Sequence, residues 1–208
     1  MEKFVNCNAI VLRTADFGES SRMLTVFSDN YGILSVAAKG VRKAKSKNKL
    51  AAQLFSYGKF ELVKSQGDAY TLTGFESIET FYTLGSDIDA FNTAAELVKI
   101  LLRTMQPDLC EPEVLRLLLN CLYLLANGMR SSLYIRTVFT LRLLKELGMM
   151  PDAEDAAEVF SMDIPEETEA ALAYLEESAI KDLFKIKLPD SVLNQLAALS
   201  VRAEREVL

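Results

Sequence analysis

The sequence predicts an α+β chain in which a small β-barrel over residues 1–80 precedes an all-α domain over residues 81–208. Three observations predict it. Short β-branched and apolar runs separated by turn residues fill the first 80 positions. From about Ser86 the apolar residues recur at every third or fourth position, the spacing of a helix face. The charge divides at the same place: residues 1–80 hold 11 Lys and Arg against 8 Asp and Glu, a net of +3, whereas residues 81–208 hold 12 against 21, a net of −9.

Five strands are expected, at residues 8–14 (NAIVLRT), 22–27 (RMLTVF), 33–38 (ILSVAA), 58–64 (GKFELVK) and 70–75 (YTLTGF). Turn signals lie between them at residues 16–21, 28–32 and 65–68, with Gly18, Gly32 and Gly67 at the breaks. Five strands in about 70 residues match the size of the oligonucleotide-binding barrel, the OB-fold. Closure of a barrel also hides the strand edges that so many short strands would expose.

The helical half reads with equal regularity. Asp87 and Asp89 suit a helix N-terminus, where the backbone dipole favours acids. Phe91, Ala94, Ala95, Val98, Leu101 and Leu102 form the apolar stripe that follows, and Pro107 stops it. Pro112 opens a second helix at its first turn, which runs to Asn127-Gly128. Ser131 or Ser132 caps a third, closed by Gly148 and Pro151. The second and third are almost continuously apolar, as deeply buried bundle helices are. Residues 152–164 are acidic and weakly patterned, a surface connection with at most one helical turn. A fourth helix starts at Pro165 and carries Ala171, Leu172, Leu175 and Ile180; a last one runs from Ser191.

Residues 39–49 (KGVRKAKSKNK) hold six cations and no acid, on a chain whose formal charge is −6. Unpaired charge is costly to bury, so such a segment belongs in a solvated loop between the third and fourth strands. It suits a polyanion, because each cation placed on a phosphate releases a counterion. The other reading is a solvated loop that only aids solubility.

Composition excludes several chemistries. There is no histidine, so every Ser-His and Cys-His pairing and the commonest zinc ligand are missing. Cys7, Cys110 and Cys121 are far apart and read as reduced, mostly buried thiols. No metal, no cofactor and no enzymatic activity is expected. The first residues lack a signal peptide's pattern, and no apolar run approaches the roughly 20 residues of a membrane helix. The expected location is the cytoplasm.

Residues 17–76 carry a more specific pattern. It consists of Gly18 to Arg22 in a hairpin, Phe27 to Gly32 in a turn, and Lys39 to Arg42 leading into the basic loop. Residues 137–152 (TVFTLRLLKELGMMPD) and 171–196 add helical segments in a matching order. This arrangement resembles the RecO recombination-mediator family of DNA repair proteins over nearly the whole chain. Many members carry a four-cysteine zinc module after the Leu-Gly-x-x-Pro turn. Here residues 152–164 contain no cysteine and are too few to hold one, so the module is expected to be deleted. The C-terminus also looks somewhat short for the family.

The resemblance implies a protein that binds single- and double-stranded DNA and anneals complementary strands. It also implies action with RecR to load RecA onto DNA coated by the single-stranded-DNA-binding protein SSB, and nucleoid association. Lys39, Arg42, Lys43, Lys45, Lys47 and Lys49 are the candidate phosphate contacts, extended by Arg13 and Arg22 on the strands. About five neutralised phosphates give a salt slope of roughly −3.5 on single strands. Tyr57, Phe55, Tyr70 and Phe60 are candidates for base stacking, with barrel core as the other reading. In the family a helical-domain pocket receives the acidic C-terminal tail of SSB; Arg130, Arg136 and Arg142 are the candidates for it, with intramolecular salt bridges as the alternative. A general OB-fold nucleic-acid binder and a protein-interaction scaffold remain rival functions.

Overall fold

The computed structural model describes residues 4–65, 67–107 and 109–207. The turn signal at Gln66 and the last residue, Leu208, lie outside them. Five strands form in the expected order: β1 (Phe4–Phe17), β2 (Ser21–Ser28), β3 (Gly32–Ala38), β4 (Tyr57–Lys64) and β5 (Tyr70–Glu79). They close into a barrel in the order β1-β2-β3-β5-β4, with β4 returning to β1. All neighbours are antiparallel except β3 and β5, which run parallel and pair only at Val36 with Tyr70 and Ala37 with Thr71. This is the five-stranded barrel order of the OB-fold.

Alternation builds the interior. Val5, Cys7, Ala9 and Val11 of β1 point inward, as do Leu24 and Val26, Leu34 and Val36, Phe60 and Leu62, and Leu72. β1 is long enough to serve both neighbours. Its first half pairs with β4 and its second half with β2, and a bulge between Val11 and Arg13 re-aims it. Phe60 and Phe75 meet edge to face, with centroids 4.8 Å apart.

The chain forms two compact units. One comprises residues 1–82 with 105–115; the other comprises residues 83–104 with 116–208. In the first unit the stretch from Met105 packs on the β2–β3 turn. Ile33 donates its N–H to the Pro107 carbonyl at 3.0 Å. Gly32, at φ +64°, makes this approach possible, since a Cβ there would stand 2.7 Å from the Pro107 oxygen and 2.6 Å from the Leu109 oxygen.

The second unit is helical. Its helices are α1 (Ile88–Thr104), α2 (Pro112–Ala126, its first turn in the barrel unit), α3 (Ser132–Glu146) and the single turn α4 (Ala156–Val159). They continue with α5 (Glu166–Glu177), the single turn α6 (Ile180–Leu183) and α7 (Asp190–Val207). The Asp87 carboxylate accepts N–H bonds from Asp89 and Ala90 and caps α1; Ser131 caps α3 by accepting from Tyr134. α3 is central and packs against α1, α5 and α7. No described helix is long and apolar enough to cross a membrane.

Three details differ from the sequence reading. Ile180 is not on α5: Ser178 and Ala179 are extended, which ends that helix and starts α6. The connection at 152–164 is not purely surface, because Ala153, Ala156 and Phe160 are buried. This segment therefore packs three apolar residues inward, and it contains no cysteine or histidine. Phe91 lies on the exposed margin of α1, whose core line is Ala90, Ala94, Leu97 and Leu101. The thiols agree with the sequence reading: Cys7 and Cys121 are buried, and Cys110 is exposed. Burial, reinforced by the Asp29 charge, pushes the Cys7 thiol up to about 12.

Replacing Gly32 by Ala forces a side chain into a left-handed backbone and against two carbonyls. The expected cost is about 2 kcal/mol or more, read as a lower urea midpoint with an unchanged slope.

Candidate nucleic-acid interface

The connection from β3 to β4 carries the basic segment, and its residues divide by chemistry. Val41, Ala51 and Ala52 are buried in the barrel's apolar cluster, the last two within a 3-10 turn (Lys49–Ala52). The cations between them point outward: Lys39, Arg42, Lys43, Lys45, Lys47 and Lys49 are all exposed. Backbone bonds fold the segment into successive turns, from Lys43 N–H to the Gly40 carbonyl at 3.1 Å and from Ser46 N–H to the Lys43 carbonyl at 3.0 Å. It is therefore not an extended arm but a turned loop held at both ends.

A set of contacts fastens this loop to the β1–β2 hairpin. Arg42 donates its N–H to the Ser20 carbonyl at 2.9 Å. Gly40 donates to the Ser21 hydroxyl at 3.1 Å. That hydroxyl thus ties the hairpin to the loop. The Asp16 carboxylate lies 2.9 Å from Arg22 and 3.1 Å from Arg42, and Arg22 also donates to the Ala52 carbonyl at 2.8 Å. Two guanidiniums share one carboxylate, so the cluster keeps a net positive charge while holding hairpin and loop together. These groups are partly exposed, so the ion pairs themselves add little stability.

The lysines are different. Lys39, Lys43, Lys45, Lys47 and Lys49 have no ion pair among the described residues. Five exposed, unpaired ammonium groups on one anchored loop form a concentrated positive field. Arg13 is exposed on β1 at the bulge, opposite Thr25, and among the described residues no hydrogen bond or ion pair joins it to the loop.

The aromatic candidates separate by burial. Phe55 and Phe60 are buried. Tyr57 and Tyr70 are half-buried, with Tyr70 packed against the barrel core and Lys64 5.8 Å from its ring centre. Phe17, at the end of β1 in the hairpin that holds the loop, is more than half exposed. Its sequence signal is a large aromatic within a turn (DFGESS), where no turn geometry calls for one.

In the helical unit the three candidate arginines have different surroundings. Arg142 is only 10% exposed; it pairs with Glu146 at 2.7 Å and donates to the Leu175 carbonyl at 2.8 Å, tying α3 to α5. Arg136 bridges Glu96 and Glu204, each at 3.1 Å. Arg130 donates to the Phe184 carbonyl at 2.9 Å and stands 5.6 Å from the Tyr134 ring centre. Burial pushes the Tyr134 phenol up from its ordinary value, and Arg130 opposes that shift. Arg130 also edges a groove of about 650 Å³ floored by Leu124, Met129, Ile180 and Phe184, with Lys181 at its rim. A second groove, of about 490 Å³, is lined by six carboxylates against Lys145, and its field repels nucleic acid. Among the described residues no cluster of three or more His, Cys, Asp or Glu is arranged to hold a metal ion.

Comparison with known proteins agrees with this architecture. Residues 1–81 match the family described as "Recombination protein O N terminal", and residues 85–162 match "Recombination protein O C terminal". A protein named DNA repair protein RecO from Acetivibrio thermocellus is 30% identical over 232 residues, covering 99% of this chain and 92% of the relative. One of the same name from Desulfitobacterium hafniense is 32% identical over 153 residues, which is 74% of this chain and 55% of that protein. Another, from Halalkalibacterium halodurans, is 27% identical over 162 residues, covering 78% and 63% respectively. The match therefore spans nearly all of one relative but less than two thirds of the other two.

Proposed function

The chain belongs to the RecO family, and we propose on that premise that it is a DNA repair and recombination mediator. In this reading residues 1–80 bind single- and double-stranded DNA and promote annealing of complementary strands. Residues 81–208 receive partners. With RecR the protein helps RecA onto strands coated by SSB, in the cytoplasm at the nucleoid. The relatives' printed name supports the repair role, and one observation carries the DNA-binding part: five exposed lysines without acid partners on a loop anchored to an OB-type barrel.

The physics is that of counterion release. Ammonium groups on a solvated loop neutralise phosphates without reading bases, so affinity is high at low salt and independent of sequence. Annealing requires two like-charged strands to approach each other. A dense lysine loop screens their repulsion and leaves the base edges open for pairing. None of this needs a nucleophile or a general base, consistent with a chain that has no histidine.

The groove edged by Arg130 supports the partner half of the reading. An apolar floor with a cationic rim suits a peptide that ends in apolar side chains and carboxylates, as the acidic SSB tail would. Arg136 and Arg142 are neutralised by carboxylates of their own unit, whereas Arg130 has no carboxylate partner among the described residues, so Arg130 is the one of the three to bear the contact.

Two experiments test these proposals. Replacing Lys43, Lys45, Lys47 and Lys49 together by Gln should weaken oligonucleotide binding at low salt and cut the slope of log K against log salt from roughly −3.5 towards zero. If affinity and slope both stay unchanged, the scaffold function gains instead. Replacing Arg130 by Ala should lower the affinity for an SSB-tail peptide roughly ten-fold or more, the loss expected from one charge-assisted contact. Calorimetric titration reads it, and equal affinities would remove Arg130 from the site.

A further inference from the structure

Phe17 is 56% exposed at the tip of the β1–β2 hairpin. A lone exposed apolar residue is ordinary and by itself means nothing. Its surroundings give it meaning. Its neighbour Asp16 holds Arg22 and Arg42, and the next residues on the tip, Ser20 and Ser21, accept backbone N–H bonds from Arg42 and Gly40. Phe17 pairs with Ser21 across the hairpin, so these contacts hold the backbone that carries the ring at the start of the lysine loop and leave the ring itself unused.

The charges of the tip narrow what the ring can meet. Asp16 is neutralised by two guanidiniums, while Glu19 is exposed and has no cation partner among the described residues. An unpaired carboxylate opposes a phosphate, so the tip itself is no place for the sugar-phosphate chain. A flat apolar ring next to that carboxylate, a few residues from five free ammonium groups, suits a base whose phosphates lie on the lysines. Of the aromatics first suspected of this role, Phe55 and Phe60 are buried, Tyr70 packs on the core and Tyr57 is half-buried, whereas Phe17 is more open than any of them.

We propose that Phe17 stacks on an unpaired base of a single strand whose phosphates the lysine loop holds. The inference rests on the nucleic-acid reading above and adds to it a base-contacting residue and a preference for single strands. A duplex keeps its bases stacked on each other and offers the ring no free face. Stacking is tolerant of base identity, since every base has a π face, and it releases no counterion. The ring therefore raises affinity without changing the salt slope.

The test uses the full chain, as wild type, Phe17→Ala and Phe17→Trp, each first shown to unfold at the same temperature. Fluorescence anisotropy over a salt series measures binding to an oligo-dT, to an abasic strand of equal length and to a blunt duplex. The expected result for Phe17→Ala is an affinity for oligo-dT lower by about 5- to 100-fold at unchanged slope, with abasic and duplex binding unaltered, and recovery in Phe17→Trp. Equal affinity of wild type and Phe17→Ala for oligo-dT overturns the proposal, and so does an equal loss on all three probes. Failure of wild type to bind any of them overturns the nucleic-acid reading instead, and this inference with it.

Discussion

The β3–β4 connection must satisfy two opposed demands. Its lysines cannot enter a core, because a buried ammonium without a partner is too costly. Its Val41, Ala51 and Ala52 cannot leave one, because they complete the apolar filling of the barrel. The chain meets both demands by turning the backbone repeatedly, so that apolar residues plug the barrel and cations face water. Without the plug the cations would be a loose tail. With it they are held beside the hairpin and share its Asp16–Arg22–Arg42 junction.

A cation's partner decides its role in this molecule. Arg142 and Arg136 spend their donors inside the helical unit, where charge-assisted bonds link α3 to α5 and to the acids at positions 96 and 204. Such guanidiniums are structural, and exposing them would leave carboxylates without a counter-charge. Among the described residues, five lysines of the loop have no such partner. Lysine suits that task, since its compact charge on a flexible stem follows a phosphate chain without a fixed geometry.

The sequence was most legible where a local rule decided the outcome. β-branched and apolar runs between turn residues marked all five strands, although β1 extends from Phe4 to Phe17, beyond the expected residues 8–14. The three-to-four spacing marked α1, α2 and α3, with Ser131 and Pro112 at their starts. The basic segment could be read because six cations without an acid admit few other environments. What stayed hidden depends on partners far apart in the chain. Nothing local tells Arg136 that Glu204 lies beside it, or Gly32 that the Pro107 carbonyl will press against it. Nothing local separates Phe60, buried in the barrel, from Phe17, exposed on the hairpin tip. The break that moved Ile180 onto its own turn involves only Ser178 and Ala179, whose extended backbone has no strong composition signal.

Lysine acetylation footprinting, with and without an oligonucleotide at low salt, tests the central claim most directly. The account predicts protection concentrated on Lys39, Lys43, Lys45, Lys47 and Lys49, with Lys99, Lys181 and Lys187 of the helical unit modified as before. Protection spread evenly over all lysines, or absent from the loop while the oligonucleotide is bound, would contradict it.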